Sequence, residues 1–312
     1  MLEKKLASSI IMVKGKHFGF NFQTAKDNVF QNENEVPSNK VLGLARKEFD
    51  SMVDQLINKN IEVLTFDPIY PEGVVTPDAI FPNNWFVTTP QGYLYIFPMS
   101  TENRRQEREA DQLVELLNRR GYDIRQLSWV GSPVESSKIL EGTGAMILDH
   151  TEKSIYAGLS QRCDVDQLNN FADISGYQVA ASFPTHGFTG DPVYHTNVLM
   201  SVGQKFAVVC FDSIDESHRA SLTEKLENSN KEIISINMEQ MYSMCGNILQ
   251  LETRNGDPVI VMSKSAYNGF SKIQIELLER NGELAVCPIS VIESIGGGSC
   301  RCMIAENFLP KL

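Results

Sequence analysis

WFVTTPQGYLYIFPM (residues 85–99) reads as two apolar strands joined at a turn, and the chain repeats this pattern three times more. The other stretches are AMILDHTEKSIYAGL (145–159), VLMSVGQKFAVVC (198–210) and ILQLETRNGDPVIVM (248–262), with TPQG, DHTEK, VGQK and RNGDP as their turn centres. A helical pattern follows each hairpin, at 104–119, 164–174, 214–228 and 267–280, and then another apolar strand, at 123–130, 177–183, 232–238 and 283–289. The start of the chain supplies a fifth unit: strand SIIMV (9–13), a helix at about 41–58 and strand EVLTF (62–66). Its missing hairpin partner would be CMIAENFL (302–309), from the other end of the chain.

The residues just before the apolar strands are Asn84, Gly144, Asn197, Asn247 and Cys302, at intervals of 60, 53, 50 and 55. A loose period of this kind is the signature of a repeat architecture. Five ββαβ units in a ring would bring these strand starts together around one axis, so the expected fold is a fivefold pseudosymmetric α/β propeller. No Pro/Gly/Ser-rich linker interrupts the pattern, so residues 1–312 are expected to form a single domain closed by its C-terminal strand.

The formal charge of −11 leaves no basic excess to neutralise a phosphate backbone, which excludes nucleic acid as the main partner. Six scattered cysteines make neither a disulfide framework nor a zinc motif, so no metal and no cofactor are expected, in a reducing, cytoplasmic setting. No run approaches the ~18 apolar residues of a membrane span. The expected partner is a small-molecule amino-acid substrate; a homodimer is left open.

Chemistry gathers at the strand starts, which read FPNNW (81–85), LEGTG (140–144), YHTN (194–197), CGN (245–247) and GGGSCRCM (296–303). A thiol nucleophile needs a positive or donor-rich environment and an acid–base partner, and the imidazole in turn needs a carboxylate. Cys302, His195 and Glu141 can fill these roles. Each has a plainer reading, as a buried small hydrophobe, an ordinary hydrogen-bonded histidine and a solvated loop carboxylate. The glycines at 296–298 allow close backbone approach to a ligand, and the repeat register favours Cys302 over Cys300. His150 falls in a hairpin turn and is expected at the surface. Arg162 offers a planar fork for a substrate carboxylate or, equally, a surface ion pair. Asp78 suits an ammonium or ureido N–H, or caps the turn at Pro77. The polar segment 31–40 reads as a lid or a plain surface loop.

AKDNVFQ (25–31), DAIFPNNWF (78–86), LEGTGAMI (140–147), HTN (195–197) and GGGSCRCMIAE (296–306) together resemble the guanidino-group-modifying superfamily. Within it they are most similar to the citrulline utilization hydrolase group related to arginine deiminases. The resemblance spans essentially the whole chain. It implies the fivefold propeller, Cys302 as nucleophile, His195 as general acid/base, Glu141 as its carboxylate and, from GLSQR, Arg162 as a substrate-carboxylate ligand. Arginine deiminases carry acids where this chain has Asn84, Gly144 and Asn197. A cationic guanidinium wants buried carboxylates; a neutral ureido group has one carbonyl acceptor and several N–H donors, which amides can match. The substrate-binding set is therefore expected to be Asp78, Asn84, Arg162, Asn197 and Asn247. The expected activity is hydrolysis of the ureido C–N bond of L-citrulline to ornithine, ammonia and carbon dioxide. The alternatives are an arginine deiminase or other guanidino hydrolase and, from another class, a non-catalytic binding propeller.

Overall fold

The computed structural model describes residues 5–33, 37–131 and 138–312. Its strands form five separate three-stranded sheets, one for each repeat. In the second repeat Phe86–Thr88 pairs antiparallel with Tyr93–Ile96, which pairs parallel with Gln126–Trp129 across a helical crossover. The next three repeats keep this order, with Ser154–Leu159, Phe206–Val209 and Pro258–Ser263 as their central strands. A central strand is covered on both faces, by the ring interior and by the crossover helix. That is why these strands read as near-continuous apolar runs with no alternation.

The first repeat closes the ring. Ser9–Val13 is its central strand, parallel to Glu62–Phe66 and antiparallel to Ala305–Glu306, with Ile10 opposite Glu306 and Ile11 opposite Ala305. The closing strand is shorter than the apolar run 302–309 predicts, because residues 299–303 are wound into turns and leave Cys302 outside the ladder. The helices match expectation in place but not always in length. Ser38–Asn58 and Glu216–Asn228 are continuous. The 104–119 pattern resolves into Glu102–Arg105 and Ala110–Arg119. The 267–280 pattern breaks between Lys264–Gly269 and Lys272–Glu279, where Ser271 caps the second helix by accepting from the Gln274 N–H.

His150 is a correction. It is largely buried in the hairpin turn, with its ring 4.3 Å from that of Phe308 and Nδ1 2.7 Å from the Tyr177 hydroxyl. No helix among the described residues is long and apolar enough to cross a membrane.

Candidate active site

Every strand start is preceded by a helical or tight turn rather than leading directly into the strand, and these turns form a ring. Pro82–Asn84, Gly142–Ala145 and Thr196–Leu199 are single helical turns, and the segments before Leu249 and Ala305 are wound into hydrogen-bonded turns. Neighbouring turns are stitched together by hydrogen bonds. The Thr143 hydroxyl donates to the Asn83 carbonyl at 3.2 Å, the Asn247 amide to the Asn197 carbonyl at 2.8 Å, and the Arg301 N–H to Asn247 Oδ1 at 3.0 Å. Gly142 has φ +43° and lies so close to its neighbour that a Cβ would come within 2.5 Å of the Asn83 carbonyl oxygen. The ring of turns thus brings Asn84, Glu141, His195, Asn197, Asn247 and Cys302 to one end of the axis.

Cys302 is buried, and its Sγ accepts from Asn247 Nδ2 at 3.2 Å and Asn197 Nδ2 at 3.4 Å. Burial raises its pKa, while the Ser299 backbone N–H and the two amides pull the other way. At rest it is a thiol held where a thiolate would find donors. Cys300 has Cys287 as its side-chain partner, in an apolar cluster that Cys302 also joins, and burial pushes its pKa well up. Within the turn at 299–303 the two cysteines have different partners, amide N–H groups at Cys302 and Cys287 at Cys300.

His195 Nε2 lies 2.8 Å from Glu141 Oε2, and both residues are buried. Burial lowers the His195 pKa to about 4, against the raising influence of Glu141. Burial by itself would raise Glu141, but the Arg162 charge, the His195 hydrogen bond and Arg104 outweigh it and hold the carboxyl well below its usual range. From this pairing, an ionised Glu141 assigns the imidazole proton to Nε2 and leaves the Nδ1 lone pair free. Nδ1 faces Gly144: a Cβ there would come within 2.8 Å of Nδ1 and 2.2 Å of Asn84 Nδ2. Gly144→Ala should therefore displace both side chains, with kcat/KM falling about 100-fold while the fold is retained, as circular dichroism and steady-state rates will show.

Arg162 departs from expectation. It is 2% exposed, its Nε donates to Asp27 Oδ2 at 2.8 Å, its Nη2 pairs with Asp27 Oδ1 and reaches the Thr24 carbonyl, and its Nη1 reaches Glu141 Oε2 at 3.4 Å. The guanidinium also stacks 4.9 Å over the Tyr194 ring. Its fork thus rests on the chain's own carboxylates, Asp27 and Glu141. Asp78 is buried, with Oδ2 accepting from Asn21 at 2.7 Å and Thr24 at 3.0 Å. Burial raises its pKa against the influence of Arg104 and these two donors.

Asn21, Thr24, Asp27 and Arg104 were not legible as site residues. The first three lie on a strap, residues 21–32, that crosses the site and is anchored by Gln31 Nε2 on the Gly296 carbonyl and by the Asn32 N–H on that of Ser294. The segment 31–40, read as a lid or a plain surface loop, lies partly outside the described residues, at 34–36; its described beginning is tied down at Gln31 and Asn32. Arg104 sits in the charged run ENRRQERE, where nothing marks one arginine as buried.

Several buried polar atoms here lack a partner: Asp78 Oδ1, Asn84 Nδ2 and Asn197 Oδ1. Such groups are costly unless a ligand or water satisfies them. At Asp78, Asn84 and Asn197 two acceptors and one donor are thus left unmatched, and at Asn83 in the same turn one of each. Among the described residues no group of three or more His, Cys, Asp or Glu side chains is arranged to hold a metal.

Comparison with known proteins agrees with this architecture. The structure superposes on ArgZ, an arginine dihydrolase from the ornithine-ammonia cycle in cyanobacteria, with a TM-score of 0.74 at 15% identity, covering 97% of this chain. The chain spans 41% of that longer protein but 97% of its N-terminal domain, solved as a cysteine variant bound to substrate (TM-score 0.70, 14% identity, 96% of this chain). A dimethylarginine dimethylaminohydrolase variant carrying an adduct with S-methyl-L-thiocitrulline matches with a TM-score of 0.65 at 13% identity, over 97% of this chain and 100% of that one. No curated protein matches by sequence. Residues 14–309 match the family described as N,N dimethylarginine dimethylhydrolase, eukaryotic. The chain belongs to that family, and so to the pentein superfamily of guanidino-group-modifying enzymes.

Proposed function

We propose that the protein hydrolyses the ureido group of L-citrulline to ornithine, ammonia and carbon dioxide. The observation that carries this reading is the unpartnered set of one donor, Asn84 Nδ2, and two acceptors, Asn197 Oδ1 and Asp78 Oδ1. A ureido group offers one carbonyl and several N–H groups and so can satisfy all three. A guanidinium offers only donors and would leave Asn84 Nδ2 unmatched.

In this reading Cys302 attacks the ureido carbon as its proton passes to His195, which is neutral at rest; Glu141 stabilises the imidazolium formed. The developing oxyanion receives the amide N–H of Asn84. The C–N bond then breaks as His195 returns the proton to the departing nitrogen, leaving a carbonyl bonded to sulfur. Water, deprotonated by His195, attacks that carbonyl; the carbon–sulfur bond breaks as His195 returns the proton to sulfur, and the carbamic acid released loses carbon dioxide, its proton passing to nitrogen to give the second amine. Asn197 and Asn247 hold the sulfur through both steps, and Arg162 acts through Glu141. The reading treats residues 1–312 as one domain, supported by the pairing of Ala305–Glu306 with Ser9–Val13.

Purified protein incubated separately with citrulline and with arginine tests this. Ornithine from citrulline is expected, and citrulline accumulating from arginine with no ornithine from citrulline would sink the reading. That outcome would favour a guanidino hydrolase, the activity named for the family. No product from either substrate would favour a binding protein.

The pH profile is a further prediction. His195 accepts a proton only when neutral, and burial lowers its pKa to about 4, so it stays neutral through its ordinary titration range. Cys302 has its pKa raised, so the thiol persists at neutral pH. The kcat/KM for citrulline should be level through pH 6–7 and decline as pH falls toward about 4. A rate already halved near pH 6.5 would contradict this assignment.

A further inference from the structure

The turn that carries Cys302 is gripped by a carboxylate that takes no part in the proposed route. Ser299 opens the turn, and its carbonyl accepts the Cys302 N–H at 2.9 Å and the Met303 N–H at 3.2 Å. Its own backbone N–H is one of the donors to the Cys302 sulfur. Ser299 therefore brackets the thiol, with its N–H on the sulfur and its carbonyl on the Cys302 backbone. The Ser299 side chain is buried, and its hydroxyl donates to Glu293 Oε1 at 2.5 Å. The other oxygen of that buried carboxylate, Oε2, accepts from the Ser265 hydroxyl at 2.6 Å. Glu293 is itself fixed from behind. Its helix, Ser290–Gly296, gives the N-terminal N–H groups of Val291 and Ile292 to the Glu48 carboxylate of the helix Ser38–Asn58, at 3.0–3.1 Å. Gly297, at φ +64°, closes the other end with its N–H on the Glu293 carbonyl at 2.9 Å.

We propose that Glu293 is a positioning residue for the nucleophile, which holds Ser299 by its hydroxyl and so aims the Ser299 N–H at the Cys302 sulfur. The inference rests on the reading of Cys302 as nucleophile and deepens it; it is the same for a ureido and for a guanidino substrate. A serine hydroxyl with no other partner bonds nearby backbone groups. At the head of a turn it would accept the N–H groups two or three residues on, those of Arg301 and Cys302. Asn247 Oδ1 and the Ser299 carbonyl hold those groups now. Committing the hydroxyl to Glu293 removes the competitor. A hydrogen bond to a carboxylate is also of the stronger kind, which suits a turn entered through three glycines, 296–298, with the most backbone freedom to lose. The sulfur then meets three donors in fixed places, the Ser299 N–H, Asn197 Nδ2 and Asn247 Nδ2, and each favours a thiolate over a thiol. Ser265 bonds the same carboxylate but lies outside the turn, in the helix Lys264–Gly269.

Ser299→Ala and Ser265→Ala each leave one Glu293 oxygen without its hydroxyl, so each should lower the denaturant midpoint by a similar amount. Their chemistry should differ. Ser299→Ala should slow alkylation of Cys302 by iodoacetamide about 10-fold at about pH 7, because the thiolate has lost an aligned donor. With whichever of citrulline and arginine the enzyme turns over, its kcat should fall about 30-fold while KM stays within about 3-fold. Trypsin cleaves after Arg301 and so puts Cys300 and Cys302 on separate peptides, which lets mass spectrometry assign the label. Ser265→Ala should keep both rates within about 3-fold. Should Ser299→Ala fail to fold, Glu293→Gln, which keeps the side chain's shape but offers only a neutral acceptor, must slow the alkylation by at least about 3-fold. Rates unchanged in Ser299→Ala, rates that fall alike in both serine variants, or an unchanged alkylation rate in Glu293→Gln overturn the inference. Full turnover by Cys302→Ala sinks the nucleophile reading instead.

Discussion

Cys302→Ala is expected to abolish turnover, lowering kcat by about 10⁴-fold or more, because the carbon–sulfur bond in the proposed route has no substitute. The geometry separates this cysteine from its neighbour. Sγ of Cys302 receives two amide N–H groups from Asn197 and Asn247, whereas Cys300, in the same apolar cluster, is partnered by Cys287. Cys300→Ser should therefore keep kcat within about 10-fold while costing about 1–3 kcal/mol of stability, the usual penalty for an unmatched buried hydroxyl. Mass spectrometry during turnover should find the acyl adduct on the peptide holding Cys302. Full activity in Cys302→Ala, or its loss only in Cys300→Ser, would reassign the nucleophile.

Glu141→Gln should be the second most damaging change, with kcat lower by about 10³–10⁴-fold and KM changed far less. Glu141 Oε1 accepts the Ser100 N–H at 2.9 Å, and Oε2 faces both His195 and Arg162. A glutamine has one acceptor oxygen, so it must aim an NH₂ group at one of these donors. The imidazolium formed during attack then loses its counter-charge. Arg162 keeps Asp27, so the stability loss should lie near the lower end of that for a broken buried pair, about 3 kcal/mol, read from a denaturant midpoint. The pH dependence of that difference has a definite sign. Glu141 titrates below its unfolded value, so its stabilisation is present at neutral pH and is lost as pH falls through the folded pKa. The gap between the two proteins should therefore narrow in acid.

Much of this was visible in the sequence. The four hairpins announced themselves because a central strand covered on both faces must be apolar at nearly every position, as in FAVV (206–209) and VIVM (259–262). The meeting of Glu141, His195, Asn197, Asn247 and Cys302 followed from register alone, since a ring turns equal spacing into proximity. What escaped was set by contacts between segments. Asp27 could not be paired with Arg162 from its position, 135 residues away. Arg104 looked like its exposed neighbours because its burial depends on Glu107, Phe81 and Asn84 together. The turn at 299–303 was also hidden, because CMIAENFL alternates well enough to pass for strand throughout.

The antiparallel pairing of Ala305–Glu306 with Ser9–Val13 also orders events in time. Cys302 follows every other site residue along the chain, three positions before the strand that shuts the ring. During synthesis the other four sheets can acquire all their strands while the first still lacks its hairpin partner and the thiol is not yet made. Joining ends nearly 300 residues apart is among the slowest contacts a chain forms. On the proposed route the nascent protein is thus chemically silent until residues 302–306 are made, and the sulfur appears only when most of the scaffold that receives it exists.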